Sequence, residues 1–196
     1  IIYGKVVHHV QKNLSVFVLE YLDAVFISHE DYDHCGALTS LKEHFKVKKV
    51  IYDFKKKTIG DLVFKNLALD KYYTNSNDRS SIIYVTINRL NYLFTGDISK
   101  EVESDLYQIY HHLDVDVLKV AHHGSSSSSS DDLFKMIDPK VALISVGKNN
   151  RYRHPSYLTL NRLEAYGVKI YRSDLQGMVK IVYYGGENYI MTSSGF

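Results

Sequence analysis

The densest group of residues that could do chemistry lies at residues 28–36, which read SHEDYDHCG. His29, Asp31, Asp33 and His34 follow a short apolar run within this segment. Imidazole and carboxylate groups together suit zinc, manganese or iron, and so compact a cluster can supply two adjacent ions. Two such ions can hold the oxygens that flank a phosphodiester. The alternative interpretation is a solvated acidic turn with incidental histidines.

Two later segments bring further candidate ligands to the ends of predicted strands. Residues 93–97 read LFTGD, and Asp97 is either a ligand or the N-cap of the helix that follows. Residues 118–125 read LKVAHHGS, which places two histidines in a polar turn. We expect His123 to be the ligand and His122 to orient it or contact substrate, because neighbouring ligands need orienting partners. A polar turn without function is the alternative.

A basic segment follows at residues 144–156, which read ISVGKNNRYRHPS. Lys148, Arg151 and Arg153 offer positive charge for phosphate groups, and His154 lies beside them in sequence. Arginine and lysine side chains position a nucleic-acid backbone without reading its sequence. The alternative is a basic surface loop that caps a helix at Ser156.

Together these segments resemble the metallo-β-lactamase superfamily, in particular the nuclease-like domain of ComEC-type DNA-uptake proteins. The usual signature H-x-H-x-D-H appears here as H-x-D-x-D-H, because Asp31 stands at the second histidine, as in the ComEC-type variant. An oxygen ligand there favours harder ions such as manganese. The segments HHGS, NDRSS and SVGKNNRYRHP resemble further ComEC-type blocks, in the family's order from His29 to about Tyr171.

The resemblance implies a site with two divalent ions, manganese or zinc. Asp97 bridges the ions, His29 and Asp31 hold one of them, and the other is held by Asp33, His34 and His123. Asp33 doubles as proton acceptor, and His154 holds the substrate or protonates the leaving oxygen. Most relatives carry another histidine near residues 77–81, where Asn77 or Asp78 could substitute. The expected substrate contacts are Asn77, His122, Ser125, Lys148, Arg151 and His154.

The implied function is hydrolysis of a phosphodiester, with degradation of the DNA strand that is not transported. The expected partners are DNA, the membrane-channel portion of the same polypeptide and other competence proteins. The expected location is the cell membrane, with the domain on its extracytoplasmic face. A catalytically degenerate module that binds DNA or closes the channel is the main alternative, because Asp31 replaces a histidine. A stand-alone hydrolase that acts on another phosphodiester is a third.

The elements that must position these residues indicate one α/β domain. The chain has 196 residues, a net charge of +2 and a single cysteine, so charge does not indicate a nucleic-acid binder and no internal disulfide can form. No apolar run is long enough to span a bilayer, and residues 1–10, with His8 and His9, do not resemble a signal peptide. The patterns predict a helix end at 16–21 and strands at 24–27, 49–52, 81–87, 91–95, 116–121, 141–146 and 168–171. They further predict helices at 35–45, 100–110, 131–137 and 156–166, an irregular stretch with strand character at 58–67 and a closing hairpin at 178–184 and 188–191.

The resemblance specifies the fold as a four-layer αββα sandwich. Relatives begin with strand hairpins and an I-D-x-G segment, which the 28 residues before His29 lack. We therefore expect one domain over residues 1–196, without part of the N-terminal hairpin region, as a fragment of a larger membrane protein.

Overall fold

The structure is a computed structural model that describes residues 21–193. The helix end predicted at 16–21 lies outside the described residues, except for Tyr21, which begins the first strand. His8 and His9 also lie outside them. The strands are β1 Tyr21–Leu22, β2 Val25–Phe26, β3 Lys46–Val47, β4 Val50–Ile51, β5 Lys56–Ile59, β6 Leu62–Asn66, β7 Ile83–Ile87, β8 Leu90–Phe94, β9 Val117–Lys119, β10 Val141–Ile144, β11 Lys169–Arg172, β12 Val179–Tyr184 and β13 Glu187–Thr192. The helices are α1 Tyr32–Cys35, α2 Leu38–His44, α3 Lys100–Tyr110, α4 Asp131–Ile137, α5 Tyr157–Ala165 and α6 Ser173–Gln176.

A seven-stranded sheet in the order β11-β10-β9-β8-β7-β6-β5 forms the centre of the molecule. Strands β8 to β11 pair in parallel, whereas β5 to β8 form antiparallel pairs. The parallel half follows from alternation of strands and helices, since a parallel pair needs a long crossover connection. The antiparallel half follows from tight turns such as Asn88-Arg89, where both residues have positive φ. One consequence is that the carboxyl ends of β8, β9 and β10 lie at the same edge.

Helices cover one face of this sheet. Val102 and Leu106 of α3, Leu133 and Phe134 of α4 and Leu163 of α5 pack in one buried cluster with side chains from β8, β9 and β10. Burial of a large aliphatic or aromatic side chain contributes about 1.5 to 3 kcal/mol, so this layer supplies much of the core.

Short strands and a second helix cover the opposite face. Phe26 of β2 packs toward the large sheet, while its neighbours Val25 and Ile27 pack on Leu41 and Phe45 at α2. This alternation places β2 between a sheet and a helix. Ile181 of the closing hairpin joins the same side of the large sheet. The order is helix, sheet, sheet, helix, and the predicted αββα architecture is confirmed.

The predicted elements agree with the structure except at several points. Helices 100–110 and 131–137 have the predicted bounds. The helix predicted at 35–45 is found as α2, Leu38–His44, and the short helix α1 before it was not predicted. The irregular stretch with strand character at 58–67 belongs to the β5–β6 hairpin. The strand predicted at 116–121 ends at Lys119, because a short 3-10 turn begins at Ala121. Between residues 21 and 193, none of the helices has both the length and the apolar character to cross a bilayer.

Candidate metal centre

The candidate site lies where strands of both sheet layers end. Residues 28–36 follow β2, Asp97 follows β8, and the turn Ala121–Gly124 follows β9. The two layers meet through a hydrogen bond from the amide of Ser81 to the carbonyl oxygen of Ser28, 2.8 Å long. Loops at the carboxyl ends of parallel strands are where open α/β sheets build their sites.

Four of the predicted ligands converge there. Asp33, His34, Asp97 and His123 each offer one donor atom, and these four atoms all lie within 4.8 Å of one another. His34 Nε2 is 3.2 Å from Asp97 Oδ1, and His123 Nε2 is 3.6 Å from Asp33 Oδ2. His34 and Asp97 are buried, while about half of the Asp33 side chain is exposed. Within residues 21–193 this is the one group of three or more such side chains that could hold an ion.

Hydrogen bonds at the far ring nitrogens orient the two histidines of this cluster. His123 Nδ1 donates to the carbonyl oxygen of Ser145 at 2.7 Å, so its Nε2 presents a lone pair to the cluster. His34 Nδ1 lies 2.8 Å from Ser28 Oγ, which leaves its Nε2 facing Asp97. Partners of this kind fix ring orientation and tautomer at metal sites. Neither Ser28 nor Ser145 was a predicted site residue, because no sequence pattern marks which hydroxyl or backbone carbonyl reaches a ring.

His29 and Asp31 form a second, smaller arm beside the cluster. His29 Nε2 is 3.6 Å from Asp31 Oδ2, and its ring centroid is 4.0 Å from that of His34. Ser80 Oγ, 3.1 Å from His29 Nδ1, also accepts a hydrogen bond from the amide of Asp97. Ser80 therefore joins this arm to the backbone at Asp97.

Gly96 allows Ser80 to lie close to the backbone at Asp97. Its φ is +57°, a conformation that side chains disfavour, and a Cβ there would lie 2.5 Å from the Cβ of Ser80. The T-G-D segment therefore needs a glycine at this position for both backbone and steric reasons.

His122 and His123 both adopt left-handed backbone conformations, with φ of 48° and 53°. Such residues cost of order 1 to 3 kcal/mol each and persist only where their surroundings hold them. Here the amide of His122 donates to the carbonyl oxygen of Gly96 at 3.1 Å. The turn points His123 into the cluster and leaves His122 Nε2 3.9 Å from the other oxygen of Asp97.

The charges of the site are set by burial and by the histidines. Burial alone would raise the pKa of Asp97, but the hydrogen bond and positive charge of His34 outweigh it and hold the pKa well below its usual range. Burial lowers the pKa of His29, and the neighbouring His34 lowers it further. Burial likewise lowers the pKa of His123, with a contribution from Lys119. The lowered pKa of Asp97 favours a buried carboxylate, and the lowered pKa values of His29 and His123 favour neutral imidazoles, which are the forms that bind metal.

Lys119 is a buried cation that the sequence analysis did not identify. It lies on β9 beneath the site, is 7% exposed, and its Nζ donates to the carbonyl oxygen of Val120 at 2.8 Å. Burial lowers its pKa to about 8, against the opposing attraction of Asp97. A lysine inside a predicted buried strand was the available signal, since buried lysines are rare without a specific role.

The structure does not bring three other candidates into the cluster. Asp78 accepts a hydrogen bond from the amide of Ser99 at 2.7 Å, so its carboxylate holds the start of α3. Asn77 lies in the 3-10 turn Asn77–Arg79 and is not among the four donors. The hydroxyl of Ser125 contacts Ser127 Oγ at 2.9 Å within its own loop. The N-cap interpretation of Asp97 is wrong, because Ser99 is the N-cap of α3.

The predicted basic segment forms a loop over the site. Lys148, Arg151 and Arg153 are exposed, whereas His154 is half-buried with its ring 5.7 Å from that of His122. Burial lowers the pKa of His154, and His122 lowers it further. The segment thus brings one imidazole toward Asp97 and leaves its cations at the surface.

These residues fit divalent metal ions. Nitrogen and carboxylate oxygen donors in one buried cluster, with ring tautomers fixed from behind, are the donor set that zinc and manganese take. About half of the Asp33 side chain is open to solvent. The His29–Asp31 arm offers two further donor groups beside the cluster.

Comparison with known proteins identifies relatives. The family model described as the Metallo-beta-lactamase superfamily matches residues 19–74. ComE operon protein 3 of Bacillus subtilis is 29% identical over 194 residues, covering 84% of this chain and 25% of that protein. Recombination protein 2 of Haemophilus influenzae is 28% identical, covering 83% of this chain and 22% of that protein. Competence protein ComA of Neisseria gonorrhoeae is 35% identical over 107 residues, covering 54% of this chain and 16% of that protein. The chain therefore matches a quarter or less of the length of each of these relatives.

Solved structures share the fold. The metallo-beta-lactamase fold protein YhfI from Bacillus subtilis superposes with a TM-score of 0.54 at 12% identity, over 84% of this chain and 81% of that one. Tm1679, described as a metal-dependent hydrolase of the beta-lactamase superfamily, gives a TM-score of 0.52 at 16% identity, over 83% and 81%. At these identities the likeness concerns the fold.

Proposed function

Because the chain matches the metallo-β-lactamase family model over residues 19–74, shares the fold and is similar to ComEC-type competence proteins, we propose that it is a metal-dependent phosphodiesterase that cleaves DNA. The observation that carries the proposal is the cluster of Asp33, His34, Asp97 and His123, whose donor atoms converge from loops of both sheet layers. A merely structural cluster would not require two carboxylates and two imidazoles together at this edge of the sheets.

Each residue has a role in this proposal. Asp33, His34, Asp97 and His123 hold one divalent ion, and His29, Asp31 and the shared Asp97 hold the other. Such ions supply Lewis acidity and lower the pKa of water toward neutrality. Asp33 reaches solvent and accepts the proton of the attacking water.

The remaining residues act on the substrate. His122, beside Asp97, and His154, beside His122, contact the scissile phosphate or the leaving oxygen. Lys148, Arg151 and Arg153 attract the phosphate backbone without base recognition, as exposed cations do. Asn77 and Ser125 are the remaining proposed substrate contacts, and both lie outside the metal cluster.

The biological setting of the proposal is DNA uptake. Relatives named for competence and recombination support a role in DNA uptake. Within that role we propose that the domain degrades one strand of incoming DNA, as part of a membrane-channel polypeptide at the extracytoplasmic face of the cell membrane. DNA, that channel and other competence proteins are then its partners. The ions are manganese or zinc.

A catalytically degenerate module that binds DNA is the second candidate. The observation in its favour is the His29–Asp31 arm, which offers two donors where the main cluster offers four. A module without catalysis does not need a stoichiometric transition metal, so metal content separates the two.

The test combines elemental analysis with cleavage of single- and double-stranded DNA in the presence of Mn²⁺, Zn²⁺ or Mg²⁺. Asp33→Asn removes one ligand and the proton acceptor, and we expect it to reduce cleavage by at least about 100-fold, the usual effect of losing general base catalysis. Glu30→Gln, in the same loop but outside the cluster, is the matched control and should retain activity. Full cleavage by the Asp33→Asn protein, or wild-type protein that purifies without metal and binds none, would refute the proposal.

A further inference from the structure

We propose that Tyr152 is a stacking platform for an unpaired nucleobase, so that the site takes single-stranded nucleic acid. The inference deepens the proposed function, on which it rests for the position of the scissile phosphate. It starts from the loop at residues 147–156, whose aromatic side chain has no role in the metal cluster.

A row of flat side chains leads from the cluster to Tyr152. His122 lies beside Asp97, the His154 ring centroid is 5.7 Å from that of His122, and the Tyr152 ring is 5.8 Å from that of His154. The planes of Tyr152 and His154 differ by 18°. Two ring-to-ring steps therefore connect Tyr152 with the histidine beside Asp97, so a base on Tyr152 belongs to a nucleotide close along the strand to the phosphate at the cluster.

Tyr152 offers both a surface and a charge to a nucleotide. It is 63% exposed, and the guanidinium carbon of Arg151 lies 4.6 Å from its ring centroid. Bases stack on tyrosine rings and on arginine planes alike, and such stacking tolerates any sequence. Lys148 and Arg153, exposed on the same loop, supply charge for the adjoining phosphates.

The platform is held in place before any ligand binds. The Asn150 side chain donates to the carbonyl oxygens of His154 and Gly147, at 2.7 and 3.1 Å, and accepts from the amide of His154 at 2.8 Å. The amide of Ser156 donates to the carbonyl oxygen of Gly124 at 2.8 Å, which docks the loop on the turn that carries His122 and His123. Because the loop is already ordered, it loses little conformational entropy when a ligand binds.

Position distinguishes Tyr152 from other exposed tyrosines, since single aromatic residues on a surface are ordinary. Tyr184 is 77% exposed, but it lies on β12 in the closing hairpin, outside this row of rings. In a duplex the bases are stacked on one another and cannot reach the ring of Tyr152. The platform therefore selects strands with accessible bases.

The test measures binding rather than cleavage. Fluorescence anisotropy with chelator present follows a short labelled single-stranded DNA of mixed sequence, the same DNA as a duplex, and a strand in which abasic sites replace the nucleosides. We expect Tyr152→Ala to weaken binding of the single strand about 5- to 150-fold, because one lost base stack costs about 1 to 3 kcal/mol. Tyr152→Phe and the control Tyr184→Ala should bind like wild type, and neither duplex nor abasic binding should change.

Any different result in these binding measurements contradicts the inference. Unchanged single-strand binding by Tyr152→Ala removes the stacking role, and an equal loss on the abasic strand assigns the effect to the loop backbone or its charges. The Tyr152→Phe protein controls for folding, and circular dichroism checks the alanine variant. If the protein cleaves no DNA but shows the predicted pattern of binding, the hydrolytic function fails and the base platform stands. If it cleaves DNA and the pattern is absent, the platform alone fails.

Discussion

At the scale of single residues, Lys119 shows how the candidate centre tolerates a buried positive charge. It lies on β9, in the parallel half of the large sheet. The carboxylate of Asp97 attracts its charge, and that charge lowers the pKa of His123. Burial of an ammonium group carries a desolvation cost, which appears as the lowering of its pKa to about 8. This lowered pKa occurs beside a carboxylate and candidate metal ligands, and perturbed pKa values are expected at functional sites.

We expect Lys119→Met to stabilise the metal-free protein in a pH-dependent manner. The folded pKa of about 8 lies below the unfolded value of 10.5, so the lysine destabilises the fold fully below about pH 8 and not at all above about pH 10.5. The stability of the methionine variant relative to wild type should therefore be greatest at pH 7 and fall as pH rises to 10.5. The lost hydrogen bond to Val120 adds a constant offset of about 1 kcal/mol. Urea unfolding with chelator at several pH values measures the difference, and a difference independent of pH would contradict the assignment.

The ligand residues were predictable from the sequence, whereas their supports were not. His34, Asp97 and His123 lie in compact polar segments after apolar runs, and that combination has few structural explanations. Ser28 and Ser80 make the contacts that orient the rings, but a serine in a loop has no distinguishing pattern. The register between the two layers decides which hydroxyl reaches a histidine, and that register depends on tertiary packing.

At the scale of elements, the serine-rich loop at residues 125–130 is a packed connection. Ser128 and Ser129 are fully buried, although serine-rich composition is generally typical of flexible linkers. Glu103 of α3, itself fully buried, accepts hydrogen bonds from the amides of Ser129 and Ser130, both at 2.7 Å. The carboxylate thereby caps α4 from a neighbouring helix and fixes the loop behind the turn that carries His123.

Burial raises the pKa of Glu103 to about 7, against the opposing effect of the two amide donors. Its unperturbed value is 4.5, so the folded state favours the protonated acid, and the stability it contributes is present below pH 4.5 and lost as pH rises through 7. We expect the free energy of unfolding of wild type, relative to Glu103→Gln, to fall by up to about 3 kcal/mol across that range.

The glutamine variant is the control for this titration, because its amide cannot ionise. Its lost acceptor oxygen shifts stability by an amount that does not depend on pH, so the slope of the difference is diagnostic. Thermal unfolding at intervals from pH 4.5 to 8 provides the measurement. Parallel curves for the two proteins would show that Glu103 does not titrate in this range.

Secondary structure was predictable where patterns were long and failed where they were short. The eleven residues of α3 alternate apolar and charged positions with helical spacing, and the predicted bounds are correct. The helix predicted at 35–45 begins only at Leu38, because Gly36 and Ala37 form a turn that separates it from α1. The β5–β6 hairpin was missed as paired strands because Lys56 and Lys65, directly opposite each other, remove the apolar alternation from its edge.

At the scale of the whole molecule, the candidate ligands connect the two sheet layers. Asp33 and His34 follow β2 in the smaller layer, whereas Asp97 and His123 follow β8 and β9 of the large sheet. An ion held by all four side chains therefore acts as a cross-link between layers that also meet through apolar packing and through hydrogen bonds such as Ser81–Ser28 and Ser80–His29. Architecture of this kind follows from the αββα arrangement, which the family resemblance predicted and the composition alone did not.

Metal binding should accordingly stabilise the whole domain rather than one loop. With Mn²⁺ or Zn²⁺ at 100 times its Kd, the gain is about 2.7 kcal/mol, which corresponds to a rise in Tm of about 5 to 10 °C for a domain of this size. Glu30→Gln should keep the rise and Asp97→Asn should lose it, since Asp97 is a buried donor of the main cluster. Hydrogen exchange distinguishes a cross-link from a local effect, because a cross-link must slow exchange together in residues 28–36 and in the turn Ala121–Gly124. Slower exchange in only one of these segments would mean that the ion binds within a single layer, and the assignment of ligands across the two sheets would be wrong.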